Sequence, residues 1–302
     1  MIIALPQVLN SYSLPNFIDN QFFKLAPNEL ERIMFDFSKV RFATPIGLIA
    51  TVAMMKYCKF NNVAKEYYLR EGKSPICSYL ERMDFYKHFS IQKPRGQRAD
   101  KENSMLEIQA IDGTVPNHII TKRLLGIIEK QVSLSEGMYA SIGWAIGETI
   151  DNIEHHSQSK INGYVCAQTY DDSLEIGIVD CGIGIREALW SNDIYKNIIS
   201  HDEAIKVATG KKVTGKPGQE SGHSGIGLFV TKSILQHNQG TLLIISGDSL
   251  VQFGASGVKV TEVGYWQGTL VGLQFNLKMP VNLSKDILQS EFPEDNDLDK
   301  MF

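Results

Sequence analysis

Two periodicities alternate along this chain, and the switches between them mark out its elements. In ELERIMFDFSKV, Ile33, Phe35 and Phe37 recur every second position on one face, the pattern of a strand. TPIGLIATVAMMKYCKF then reads as a helix starting at Thr44, with Pro45 in its first turn. KEYYLR predicts a second strand and SPICSYLERMDFYKHF a second helix, so this region is a small α/β unit. SIQKPRGQRADKENS, residues 90 to 104, is dense in charge, breaks the pattern and is the best domain boundary. Beyond it SMLEIQAI predicts a strand, HIITKRLLGIIEKQV a helix, and residues 136 to 156 a long helix. GYVCAQTY and SLEIGIVD form a hairpin pattern around DDS. A polar stretch runs from Arg186 to Ser224, followed by a helix from Gly225 to Asn238 and closing strands TLLIIS, GVKVTEV and TLVGLQFNLKM. The second unit is therefore α+β, with an antiparallel or mixed sheet.

Composition narrows the picture. The 302 residues suffice for one large core or two moderate ones, and two domains are expected. The net charge of −4 does not suggest a nucleic-acid partner. Part of the acidic excess lies in EFPEDNDLDK, read as part of a solvated tail over residues 282–302. Cys58, Cys77, Cys166 and Cys181 form no CxxC pair, which argues against a zinc site or disulfide framework and fits a reducing, cytoplasmic setting. The longest nearly apolar run, PIGLIATVAMM, is shorter than the roughly 18 residues a membrane span needs.

Candidate chemistry lies on the long helix. Ile142, Ile146, Ile150 and Ile153 form an apolar stripe, and Glu148, Asn152 and His155 lie opposite, with His156 at the margin. That polar face is either ordinary solvated helix surface or a site. A carboxylate and a carboxamide one turn apart supply a base for an attacking water and a neutral oxygen ligand for Mg²⁺. In IVDCGIGI, Asp180 ends a strand and is followed by Gly182 and Gly184, which permit close backbone approach to a flat ligand while the carboxylate accepts from an exocyclic amine. SGHSGIGLFVTKSILQ places Gly222, Gly225 and Gly227 at the mouth of a helix, where free N–H groups can meet phosphate. Each glycine motif alone is weak.

In order, ETIDN, DCGIG, GHSGIGL and QGTLVGLQFNL resemble the four nucleotide-binding boxes of the GHKL superfamily, which holds gyrase, histidine kinases, MutL and anti-sigma serine kinases. The resemblance covers residues 105–281 and implies a Bergerat-type ATP-binding sandwich under a mobile lid, with ATP and Mg²⁺ as ligands. It implies Asn152 as metal ligand, Asp180 as reader of the adenine amine, and Gly182 and Gly184 as the first glycine box. Gly222, Gly225 and Gly227 correspond to the phosphate box, Thr269 to the threonine near adenine, and Glu148 to the general base. The chain departs from the histidine-kinase pattern at His155, where a basic residue is usual. Lys211, Lys212 and Lys216 lie in the expected lid, as phosphate contacts or as a solvated cluster, and Cys181 reads as a small residue in a tight turn.

The N-terminal domain, residues 1–95, resembles more loosely a STAS domain over roughly residues 20 to 90 through MFDFSKVRFATPIGLIA, and Pro45 stands where antagonists of that family carry a phosphorylatable serine, with Thr44 one place earlier. The combination implies an ATP-dependent regulatory protein of the anti-sigma kinase kind, hydrolysing ATP or phosphorylating a protein partner in signalling. The alternatives are a histidine kinase and a nucleotide-gated scaffold without chemistry. A protein partner is expected, a homodimer is an open option, and neither nucleic acid nor membrane is expected.

Overall fold

The computed structural model describes residues 1–18, 25–71, 76–89, 104–215 and 225–293. The N-terminal unit runs β1 (Ile2–Ala4), β2 (Val8–Leu9), α1 (Leu14–Phe17), β3 (Leu30–Asp36), β4 (Phe42–Ala43), α2 (Pro45–Phe60), β5 (Ala64–Arg70), α3 (Ile76–Arg82) and α4 (Phe85–His88). β1, β3 and β5 form a parallel sheet in that order. The second unit runs β6 (Met105–Ile111), α5 (Asn117–Glu129), α6 (Glu136–His156), β7 (Gly163–Thr169), β8 (Ser173–Val179), α7 (Ile185–Leu189), α8 (His201–Ala208), α9 (Gly227–His237), β9 (Thr241–Gly254), β10 (Gly257–Asn276) and α10 (Gln289–Glu291). Its five strands are antiparallel throughout, in the order β6-β7-β8-β10-β9.

α6 follows the sequence pattern closely. Ser135 caps it by accepting from the Met138 N–H, and the Ile142, Ile146, Ile150 and Ile153 stripe is buried with α5 and α9 against one face of the sheet. α2 is different: every residue from Pro45 to Met55 is buried, as expected of a helix that is apolar all round. It lies between the parallel sheet and the other face of the antiparallel sheet. Gly177 and Gly272 make room for it, since a Cβ at Gly177 would lie 2.9 Å from Ile49 Cγ2 and 3.0 Å from the Pro45 carbonyl. Glu175, buried beside them on β8, accepts a 3.0 Å bond from the Ile46 N–H in the first turn of α2. Burial raises its pKa, and the bonds from Thr44 and Ile46 oppose the rise.

Several expectations need correction. The two units on either side of residues 90–104 share one core, in which Ile33, Phe35 and Ile49 join Val179, Ile245 and Trp266; most of the boundary itself, residues 90–103, lies outside the described residues. The polar stretch after Arg186 contains α7 and α8, and α8 is capped by Ser200, which accepts from the Glu203 N–H. GVKVTEV and TLVGLQFNLKM are parts of a single strand, β10, interrupted by two register shifts. The expected tail from residue 282 begins packed: Leu283, Ile287, Leu288 and Phe292 are buried in the helical core, and residues 294–302 lie outside the described residues.

Candidate functional site

Between α6, α9 and the sheet lies a cavity of about 320 Å³, at the lower end of the range for small-molecule sites. Glu148, Asn152, Asp180, Gly184, Gly225, Gly227 and Thr269 all line it. Four separated stretches of sequence thus meet at one place. Gly182 stands just behind the wall, and Gly222 and Lys216 lie outside the described residues.

One side of the cavity is built around Asp180. Its backbone N–H donates to the Thr269 carbonyl at 2.9 Å, and its Oδ1 accepts from the Gly182 N–H at 2.7 Å. The side chain is 4% exposed, and burial pushes its pKa up to about 7 against the bonds from Gly182 and Thr269. Here an acceptor has been withdrawn from water and pointed at a cavity, which suits recognition of a donor on a ligand. Gly182 is dictated by close approach: a Cβ there would overlap the Ser157 carbonyl at the end of α6, and the neighbouring Ile183 N–H donates to that carbonyl at 2.8 Å. Gly184 has φ +83°, a conformation L side chains rarely adopt. Cys181 fits the same turn with its Sγ 3.7 Å from the Ala53 carbonyl of α2.

The other side is built from α6 and the start of α9. Glu148 and Asn152, one turn apart, both face the cavity. A Cβ on Gly227 would overlap Glu148 Oε2, so the carboxylate lies directly over the first residue of α9. Burial, with the Asp151 charge second, pushes the Glu148 pKa up to about 7. The first helical bond of α9 runs from the Val230 N–H to the Ile226 carbonyl, leaving the preceding N–H groups without helical partners at the cavity wall. Gly225, at φ +77°, accepts a 3.0 Å bond from the Val213 N–H, which joins the described residues on either side of 216–224.

Of the described lysines before residues 216–224, Lys211 points away from the cavity and Lys212 does not line it. Lys211 forms an ion pair with Glu291 and sits 5.1 Å and 5.3 Å from the rings of Phe229 and Phe292, and Lys212 is exposed at φ +56°. His155 and His156 line the cavity rim. Sequence reasoning missed Ser246, Gln267 and Gly268, which hold the Asp180 turn from behind. The available signal was the glycine preceding Thr269 within a strand pattern.

The donor set for a cation is sparse. Among the described residues no cluster of three His, Cys, Asp or Glu side chains could hold a metal, and Asn152 offers a neutral oxygen. Mg²⁺ fits such a site because it keeps much of its water and is held largely by substrate phosphates. Compared with known proteins, the sequence matches no family model and no curated protein. Among the described residues no helix is long and apolar enough to cross a membrane.

Proposed function

We propose that the chain is a Mg-ATP-binding regulatory protein with a GHKL-type nucleotide site, which hydrolyses ATP or passes its γ-phosphoryl group to a protein partner. One observation carries this reading: seven residues matching the superfamily's boxes, drawn from four separated stretches, line a single cavity. ATP is the substrate. Asp180 accepts a hydrogen bond from the exocyclic amine of adenine, with Thr269 beside it. Gly225 and Gly227 leave the α9 N–H groups bare for phosphate oxygens. Asn152 gives its amide oxygen to Mg²⁺, and the metal when bound neutralises triphosphate charge. Glu148 orients the attacking water or hydroxyl and takes its proton. A pKa of about 7 suits that task, because the group is charged near neutrality and still basic enough to accept.

The N-terminal unit supports a STAS-like reading through its strand, helix, strand, helix order. Thr44 and Pro45, at the place of that family's phosphoswitch, are both buried at the start of α2 beside Glu175. That burial favours a fixed docking layer over a phosphorylated switch.

Calorimetric titration with Mg²⁺ and a non-hydrolysable ATP analogue tests the site. Binding that weakens at least ten-fold in Asn152→Ala supports it, and a wild type that binds no nucleotide overturns it. Single-turnover ATP loss in wild type and Glu148→Gln, with and without candidate partner proteins, then tests the chemistry.

A further inference from the structure

The pairing of β10 with β9 slips twice near the cavity. Trp266 pairs with Gly247 and Thr269 with Ser246, so Gln267 and Gly268 stand outside the ladder as a bulge. Bulges beside sites re-aim what they carry. This one is pressed onto the base-side turn. Gly268 has φ +93°, and a Cβ there would overlap the Asp180 carbonyl and lie 2.6 Å from both Asp180 Oδ1 and the Gly182 N. The Gln267 side-chain amide donates to the Gly182 carbonyl.

A second contact runs from the same bulge to α7. Ser246, fully buried on β9, donates from Oγ to the Gly268 carbonyl at 3.0 Å and accepts at Oγ from the Ile185 N–H at 3.0 Å. Ile185 is the first residue of α7, where an N–H has no partner within its own helix. Gly184 has no side chain to intervene, since a Cβ on it would lie 2.9 Å from Ser246 Oγ. One buried hydroxyl therefore joins the Ile185 N–H to the Gly268 carbonyl.

We propose that Ser246, Gln267 and Gly268 form a positioning element that ties the Asp180–Gly184 turn to the start of α7, so that a ligand seated against Asp180 is sensed in α7. None of the three is assigned to touch the reacting atoms. Gln267 and Gly268 hold the turn, and Ser246 carries its position to Ile185. The sensing step rests on the nucleotide reading above, whereas the link itself exists without ligand.

The experiment is amide hydrogen exchange on the full chain, without ligand and with Mg²⁺ plus a non-hydrolysable ATP analogue. In ligand-free Ser246→Ala, exchange at Ile185 is expected to accelerate about ten-fold or more, because its N–H loses a buried acceptor, while β9 amides beyond the bulge keep wild-type rates. In the wild type the analogue is expected to protect residues 185–189, and in Ser246→Ala that protection is lost. Gln267→Ala, at a half-buried position, is expected to keep ligand-free protection at Ile185 but to weaken analogue affinity about ten-fold at an unchanged melting temperature. Unchanged Ile185 exchange in Ser246→Ala, or wild-type affinity in Gln267→Ala, overturns the positioning element while leaving the nucleotide reading intact. A wild type that binds no nucleotide overturns the nucleotide reading and the sensing step together, and the ligand-free comparison still decides whether the link exists.

Discussion

Gly227→Ala separates chemistry from stability at the site. The residue is the first of α9, and its φ is not in the left-handed region, so the backbone accepts alanine without strain. The added Cβ would overlap Glu148 Oε2 and lie 2.8 Å from Cδ and 3.3 Å from Cγ, all at the far end of a flexible side chain. Glu148 must therefore swing away. Alanine gains up to about 1 kcal/mol of helix propensity over glycine. Moving Glu148 off its preferred rotamer costs roughly 0.5–1.5 kcal/mol. The two nearly cancel, and the melting temperature should stay within about 4 °C of wild type. On the proposed reading the chemistry has no such offset, because a base displaced by about 1 Å loses on the order of 10²-fold in rate. Single-turnover ATP loss and thermal melting on one preparation provide the assay, with Glu148→Gln as reference. If the methyl acts through Glu148, adding Gly227→Ala to Glu148→Gln should lower the rate no further. Wild-type turnover in Gly227→Ala refutes the reasoning, and so does a rate loss matched by a collapse in stability.

The carboxyls of Asp180 and Glu148, pushed up to about 7 from ordinary values of 3.8 and 4.5, give the ligand-free protein a distinctive pH profile. Between those values and about 7 the folded chain holds protons that the unfolded chain has released, so stability falls as pH rises and levels off above 7. Each group contributes on the order of 3 kcal/mol, so the denaturant midpoint should be higher at pH 5 than at pH 8, with a smaller difference in Asp180→Asn. Gly177→Val should lower stability by about 1–3 kcal/mol through overpacking against α2, read as a fall in melting temperature, while nucleotide affinity of the folded protein holds. Glu291→Ala removes the partner of Lys211, so tryptic cleavage after Lys211 should accelerate even without nucleotide; an unchanged rate would mean the ion pair does not hold that segment.

Elements with a strong single period were legible in the sequence. α6 runs from Glu136 to His156 as its isoleucine spacing predicts, and β7 and β8 pair as the hairpin their alternation implies. The residues that line the cavity were legible in part through glycines whose missing side chains leave room for backbone. α8 was hidden because its eight residues bury little beyond His201, Ala204 and Ile205. Gly264 and Gly268 break the alternation of β10 and disguise one strand as two. At the C-terminal end, acidic composition obscured Leu283, Ile287, Leu288 and Phe292, whose burial depends on a groove beside α6 and α9 that no local pattern reveals. α2 was read as a helix, but its burial on all sides is a tertiary fact, since a second sheet must exist to cover its other face.

That second sheet explains why the chain is not two independent halves. β8 alternates between them: Glu175, Gly177 and Val179 face α2, whereas Leu174, Ile176 and Ile178 enter the helical core and Asp180 continues their side into the cavity. A slip of one residue would turn every side chain to the opposite face. Glu175 would then be driven among apolar helices without the Ile46 N–H, and Asp180 would be withdrawn from the cavity. A buried carboxylate left without its donor costs several kcal/mol, far more than a displaced alkyl group. The contact that docks the N-terminal unit therefore also fixes the register on which the site depends, so loosening α2 at Glu175 should disturb Asp180 from the far side of the sheet.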